Sequence, residues 1–152
     1  MEHSNTDARY LSIAAEEAEK SVACYRVGCV AVSSGKILAR GHNNARTYSK
    51  DGMIGDSLSC HAEIDVLRKC LRRNITNKMK LYVVRITATG EYVCSAPCID
   101  CFMTMKEFNI KDIVYIGHEG EVLKRSMSNF HTCHQSGGKK AVIENRVKRL
   151  NI

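Results

Sequence analysis

Two short patterns bring together residue types that do chemistry as a set. One is His61-Ala62-Glu63, after a polar stretch; the other is Pro97-Cys98-Ile99-Asp100-Cys101, with 37 positions separating His61 from Cys98. Zinc takes about four ligands in a tetrahedron, and a catalytic zinc leaves one position to water. His61, Cys98 and Cys101 supply one imidazole and two thiols, so three protein ligands are present and the fourth position stays open. Cysteines three apart at a helix N-terminus face the same side, and the helix dipole favours their thiolate forms. Glu63 is the residue a purely structural zinc site has no use for. Two positions beyond the histidine, its carboxylate can sit beside the water without ligating the metal, take a proton and pass it on. The combination reads as metal-assisted hydrolysis with one zinc per chain.

Each pattern alone says little. A His and a Glu two apart are commonly a surface pair, and a lone CxxC suits a redox pair, half a zinc finger or two buried cysteines equally. Cys60 and Cys94 lie beside the motifs and are the candidates for a fourth protein ligand, which would make the site structural.

The elements around the motifs follow from periodicity. Thr6 to about Ala23 alternates Ala, Leu and Ile with Glu and Lys, predicting an amphipathic helix capped by Thr6 or Asp7. Val27–Val32, the turn Ser33-Ser34-Gly35-Lys36 and Ile37–Arg40 predict a hairpin. Gly41–Ser59 is a long polar loop, after which Ser59 can cap a helix from Cys60 to about Arg73 with Ile64, Leu67 and Leu71 on one face. Leu81–Thr87 reads as a strand that Gly90 interrupts, with Tyr92–Ser95 continuing it. Pro97 suits the first turn of a helix reaching about Asn109. Ile113–Ile116 and Val122–Met127 read as strands around a turn at Gly117–Gly120. Thr132–Gly138 is then a loop, and Lys139–Leu150 a last, basic helix or tail. Alternating helices and strands without repeats predict a single α/β domain over residues 1–152.

Composition sets the bounds. At 152 residues, with 44% hydrophobic and 26% charged residues, the chain is long enough to bury a core and ordinary for a soluble protein. No apolar run approaches the roughly 18 residues that span a bilayer, and the acidic, polar start resembles neither a secretory signal nor a transit peptide. A cytoplasmic protein with no membrane partner is therefore expected. In a reducing compartment its eight cysteines are metal ligands or small buried hydrophobes, Cys29 among the latter. The net charge of +7 favours anionic partners, nucleotides or nucleic acid. Lys139, Lys140, Arg146, Lys148 and Arg149 stand against Glu144 alone near the C-terminus, which reads first as a solvated helix face. His131, Cys133 and His134 are candidates for a second metal site, with a plain loop the stronger reading.

On its two motifs the chain resembles the cytidine and deoxycytidylate deaminase superfamily, in the branch with a histidine ligand. H-x-E followed by P-C-x-x-C is the signature of zinc nucleobase deaminases. The resemblance runs from about Val27 to Ile116 and takes in Gly41-His42-Asn43 at the end of the hairpin. It implies a three-layer α/β/α fold with a mixed, about five-stranded sheet, both ligand helices aiming their N-termini at one zinc. It also implies that Glu63 is the catalytic proton carrier, that Asn43 and Ala62 contact substrate, and that backbone amides at Cys98 and its neighbours hold the reacting oxygen. From the residues alone, Asn43-Asn44 reads first as a turn.

Several branches of the superfamily fit less well. Riboflavin-pathway deaminases space their cysteines further apart than Cys98 and Cys101. Polynucleotide cytidine deaminases of the antiviral type carry Ser-Trp-Ser before the Pro-Cys, where this chain has Cys94-Ser95-Ala96 and no tryptophan at all. tRNA adenosine deaminases usually have Glu where Ala96 stands. The loop Asn44–Ser59 resembles an insertion of deoxycytidylate deaminases, without the extra metal ligands these usually carry there. Arg26-Val27-Gly28 resembles their lead into the first strand. Arg46 or Lys50 is the candidate partner for a 5′-phosphate, against the stronger reading of solvated loop charges. A hairpin over Asp112–Met127 makes the fourth and fifth strands antiparallel. Small-molecule cytidine deaminases and some toxin-type deaminases share that arrangement, whereas nucleic-acid editors and deoxycytidylate deaminases have a parallel pair.

The expectation is zinc-dependent hydrolytic deamination of a cytosine-type nucleoside or nucleotide, such as cytidine or dCMP, to the uracil form with release of ammonia. Deamination of a base within RNA or DNA is the first alternative, supported by the charge. A non-catalytic zinc-stabilised module that binds nucleotides or nucleic acid is the second, and Glu63 argues against it. A CxxC redox protein would leave His61 and Glu63 unexplained. Relatives commonly assemble, so a homo-oligomer is a further expected partner.

Overall fold

The computed structural model describes residues 5–23, 25–46, 49–54 and 60–128. The element order is α1 (Asn5–Glu19), β1 (Arg26–Ser33), β2 (Lys36–His42), α2 (Ala62–Arg72), β3 (Met79–Ile86), β4 (Tyr92–Val93), α3 (Ile99–Met105), β5 (Ile110–Ile116) and β6 (Val122–Ser126). The sheet runs β2-β1-β3-β5-β6, with the two-residue β4 paired to the end of β3. Among the described strands only β3 and β5 pair in parallel; the other pairs are antiparallel. The expected mixed sheet is present, with six strands among the described residues rather than about five, because Tyr92–Val93 forms its own stub against Arg85 and Ile86. The hairpin of β5 and β6 is antiparallel, as its sequence predicts.

Period-two alternation divides the interior into two cores. Cys29, Ala31, Leu81, Val83, Ile113 and Tyr115 face α2 and α3, whereas Val30, Val32, Tyr82, Val84, Val114 and Ile116 face α1. The three-layer arrangement follows directly. Gly28 sets the spacing on the α1 side: a Cβ there would lie 1.8 Å from the Ala14 carbonyl oxygen, so only glycine lets the helix backbone this close to β1. Tyr82 donates a 2.6 Å hydrogen bond to the buried Asp7 carboxylate, satisfying both groups.

Several predicted boundaries move. Helix α1 already includes Asn5, so Thr6 and Asp7 lie within its first turn rather than capping it, and Asp7 points into the core. It ends at Glu19, where Ser21 turns inward and donates to the Asn43 carbonyl. Helix α2 begins at Ala62, two residues late, because Cys60 is held in a backbone bridge with Asn44. Its buried face runs through Glu63, Val66, Leu67 and Cys70; Leu71, one residue and about 100° further round, is 48% exposed. Helix α3 starts after Pro97 and stops at Met105, short of Asn109. Among the described residues no helix is long and apolar enough to cross a membrane. Cys24, the cap Ser59, the trio His131, Cys133 and His134, and the basic segment 139–150 lie outside the described residues.

Candidate metal and catalytic centre

Two helix starts meet on one side of the sheet. His61 is the N-cap of α2 and Cys98 the N-cap of α3; both have extended backbones, and neither side chain caps its own helix. Their side chains are thereby free to face each other, and Cys101 joins them from the first turn of α3. The His61 Nδ1 atom lies 3.2 Å from the Cys101 Sγ and 3.5 Å from the Cys98 Sγ, and the three donor atoms all fall within 4.8 Å of one another. The His61 ring thus presents Nδ1 to both thiols.

Among the described residues no fourth side chain joins this group. Cys60 turns its thiol to the His61 carbonyl oxygen, 3.5 Å away, and burial pushes its pKa up to about 11. Cys94 faces His118 Nε2 at 3.9 Å. Neither candidate for a fourth ligand is in place.

The electrostatics suit a soft cation. A hydrogen bond from the Cys101 thiol brings Cys98 down to about 4, against the opposing effect of burial and with help from His61, so Cys98 is a thiolate at neutral pH. The hydrogen bond to Cys98, together with burial, pushes the Cys101 thiol well up. Burial lowers His61, yet its bond to Cys98 and the charges of Glu63 and Cys98 raise it to about 8. One imidazole nitrogen and two sulfurs, held close and partly deprotonated, fit zinc by donor chemistry.

Glu63 is 5% exposed in the first turn of α2. Burial raises its pKa, the neighbouring His61 works against that, and the Cys98 charge adds to it. A carboxyl that is both desolvated and beside the donor group is placed to exchange protons there.

The other residues expected at the site take different positions. Asn43 uses its amide on the backbone of the strand entry: Oδ1 accepts from the Val27 N–H at 2.9 Å and Nδ2 donates to the Tyr25 carbonyl at 2.6 Å. One amide hydrogen and one lone pair remain for another partner. The Ala62 methyl is fully buried in the core, so any contact it makes with substrate is through its backbone. Arg46 and Lys50 are exposed loop residues.

Three supports went unread in the sequence. Ser95 donates to the Val83 carbonyl at 2.7 Å and accepts from the Ile116 N–H at 2.8 Å, tying β3 to β5 just before Pro97-Cys98. Arg68 reaches from α2 to Asp51 at 2.9 Å, pinning the turn over 49–54. That turn lays Ile54 and Met53 against Cys60, Cys98 and Cys101. No local motif marks these residues, since each acts across more than ten positions of chain.

Comparison with known proteins agrees with the geometry. A family model, described as cytidine and deoxycytidylate deaminase zinc-binding region, matches residues 4–117. No curated protein matches the chain by sequence. Among solved structures, the chain is similar to dCMP deaminase from the cyanophage S-TIM5, at 20% identity over 77% of this chain and 86% of that one, with a TM-score of 0.57. It is similar to cytidine deaminase from Burkholderia pseudomallei, at 23% identity, 85% and 95% coverage and a TM-score of 0.61. Cytidine deaminase from Mycobacterium leprae aligns at 19% identity, 83% and 96% coverage and a TM-score of 0.55. At these identities the structural likeness is one of fold.

Proposed function

The chain belongs to the zinc-dependent cytidine and deoxycytidylate deaminase family, and from that premise we propose that it hydrolyses the exocyclic amine of a cytosine-type nucleoside or nucleotide. The observation that carries the reading is the three-donor group of His61, Cys98 and Cys101, with the buried Glu63 carboxyl beside it. The antiparallel β5–β6 pair, the arrangement of small-molecule cytidine deaminases, supports a free nucleoside over a base in nucleic acid, and structural neighbours include a cytidine deaminase and a dCMP deaminase crystallised with dCMP and dUMP.

His61, Cys98 and Cys101 would hold a zinc ion, which would supply the Lewis acidity that brings the pKa of water to about 7. The Glu63 carboxylate accepts the proton from the water that attacks C4 of the base, then delivers it to the ring nitrogen N3. The same carboxylate then takes the proton of the new C4 hydroxyl and gives it to the exocyclic nitrogen, so that the C4 carbonyl forms as the C4–N bond breaks. One water is consumed and ammonia leaves. Burial matches Glu63 to this work, because a raised pKa lets it hold the proton between the two transfers. Asn43 contacts the base or sugar with its remaining amide valences, and the Ala62 backbone lines the site beside it.

The test is a panel of cytosine, cytidine, dCMP, guanine and single-stranded DNA and RNA, assayed with zinc-loaded protein for ammonia release or base conversion. Turnover of cytidine or dCMP is expected. Conversion of guanine alone, or of polynucleotides alone, would move the substrate elsewhere in the superfamily.

A further inference from the structure

A second feature of the molecule lies on the opposite face of the sheet from the metal centre. A cavity of about 440 Å³ opens beside the first turn of α1. Its wall is formed by Tyr10, Val32 and Tyr82, all on the α1 side of the sheet, and four lysines line it: Lys78, Lys80, Lys111 and Lys124. They come from four separate places in the fold: the lead into β3, β3 itself, β5 and β6.

The charge is one-sided. Among the described residues Asp7 is the only carboxylate lining the cavity, and it is engaged by the Tyr82 hydroxyl at one oxygen and by Lys124 at 3.5 Å at the other. Among the described residues no carboxylate lies within ion-pair distance of Lys78, Lys80 or Lys111. Asp112, the parallel-strand partner of Lys80, adds a more distant negative charge. Burial and the neighbouring Lys124 ammonium both lower the pKa of Lys80. Two ammonium groups held together on the same face repel, and an anion seated between them relieves that repulsion.

We propose that this cavity is a binding site for a multiply charged phosphoryl anion, separate from the deaminase centre. Lysine presents a compact point charge with three rotatable donors, which suits phosphate oxygens without demanding the planar fork that carboxylates share with arginine. Four such charges against one engaged carboxylate match a di- or triphosphate better than a singly charged acid. The volume falls in the roughly 300–1,000 Å³ range of small-ligand sites and suits a compact anion, not an extended strand. The phosphoryl groups come either from free polyphosphate or from a nucleotide.

Calorimetric titration of the zinc-loaded full chain with inorganic triphosphate, and separately with a nucleoside triphosphate, tests the site at about 0.1 M salt, where exposed charges are screened beyond roughly 10 Å. Binding of inorganic triphosphate that weakens as salt rises is expected. The rim variant Lys78→Gln/Lys111→Gln removes no ion pair of the fold and is expected to weaken binding by about tenfold, with zinc content, thermal midpoint and deaminase rate unchanged. Lys80→Gln/Lys124→Gln is expected to weaken it further. Tighter binding of the nucleoside triphosphate, lost in the rim variant, assigns the phosphates to a nucleotide; equal binding assigns them to polyphosphate. No binding of either probe, equal binding by the rim variant, or binding of single-stranded RNA alone would overturn the proposal.

Discussion

In the proposed reaction, Glu63 and the three donors divide the work at the scale of single side chains. The donors are held by helix starts whose backbones leave the side chains uncapped, while Glu63 is buried one turn position further on. Glu63→Gln keeps shape and burial but cannot carry a proton. It is expected to retain zinc and the wild-type thermal midpoint while losing turnover by a factor on the order of a hundred to ten thousand. Parallel metal analysis and ammonia assays read both quantities, and a variant with full activity would remove Glu63 from the mechanism. Cys98→Ala removes the thiolate from the donor set. One zinc per chain is expected for the wild type and much less for this variant, measured by metal analysis after dialysis against a chelator. Full zinc retention would mean the ligands lie elsewhere.

Elements, rather than residues, decide whether those side chains meet. The turn over 49–54 is fastened by Asp51, which accepts from Arg68, from Ser49 and from the Met53 amide. Burial pushes the Asp51 pKa up, but these bonds outweigh it and hold the carboxyl below its usual value. The sign then follows. The folded state holds the Asp51 proton less tightly than the unfolded chain, so this stabilisation is present above the ordinary carboxylate pKa of about 3.9 and fades as pH falls through the lower folded value. Asp51→Asn is expected to unfold at a lower temperature than wild type at pH 6, with the gap closing below about pH 4. A gap that stays constant down to pH 3 would show that the ion pair contributes nothing. On the other face, Gly28→Ala places a methyl group against the Ala14 carbonyl and the Ala18 amide, at 1.8 and 2.6 Å. Backbone atoms cannot swing aside, so α1 must lift from β1. A loss of about 3 kcal/mol, or a Tm about 10 °C lower, is expected in thermal unfolding. An unchanged Tm would mean the helix is not seated by this glycine.

At the scale of the whole molecule, the sheet separates two kinds of surface: the metal centre on the side of α2 and α3, and the lysine-lined cavity on the side of α1. The basic residues between 139 and 149 add charge beyond the described residues. If the substrate is a free nucleoside or nucleotide, replacing Lys139, Lys140, Lys148 and Arg149 with Gln leaves turnover and zinc content nearly unchanged. Aromatic residues for stacking bases make up 6% of the chain and are absent from that segment, which argues for this outcome. A salt titration of single-stranded DNA and RNA binding, on wild type and variant, supplies the contrast. Steeply salt-dependent binding that disappears in the variant would favour a polynucleotide substrate, because each neutralised phosphate releases counterions.

What the sequence determined by itself was the family, the metal-donor set and the kind of fold. His61, Glu63, Cys98 and Cys101 are legible because donor type and helical spacing are local properties, and strand and helix periods are local too. The tertiary structure alone decided which nitrogen of His61 faces the thiols, that Cys60 and Cys94 stand apart from them, and that the Asn43 amide serves the entry to β1. It also brought Arg68 to Asp51, Ser95 between β3 and β5, and four lysines to one cavity. Helix limits shifted for the same reason, as with Leu71, whose side of α2 depends on where the sheet lies. These facts depend on contacts between residues far apart in the chain. Such contacts leave no periodic or compositional mark, because any of many positions can meet the same physical need once folding has fixed the neighbours.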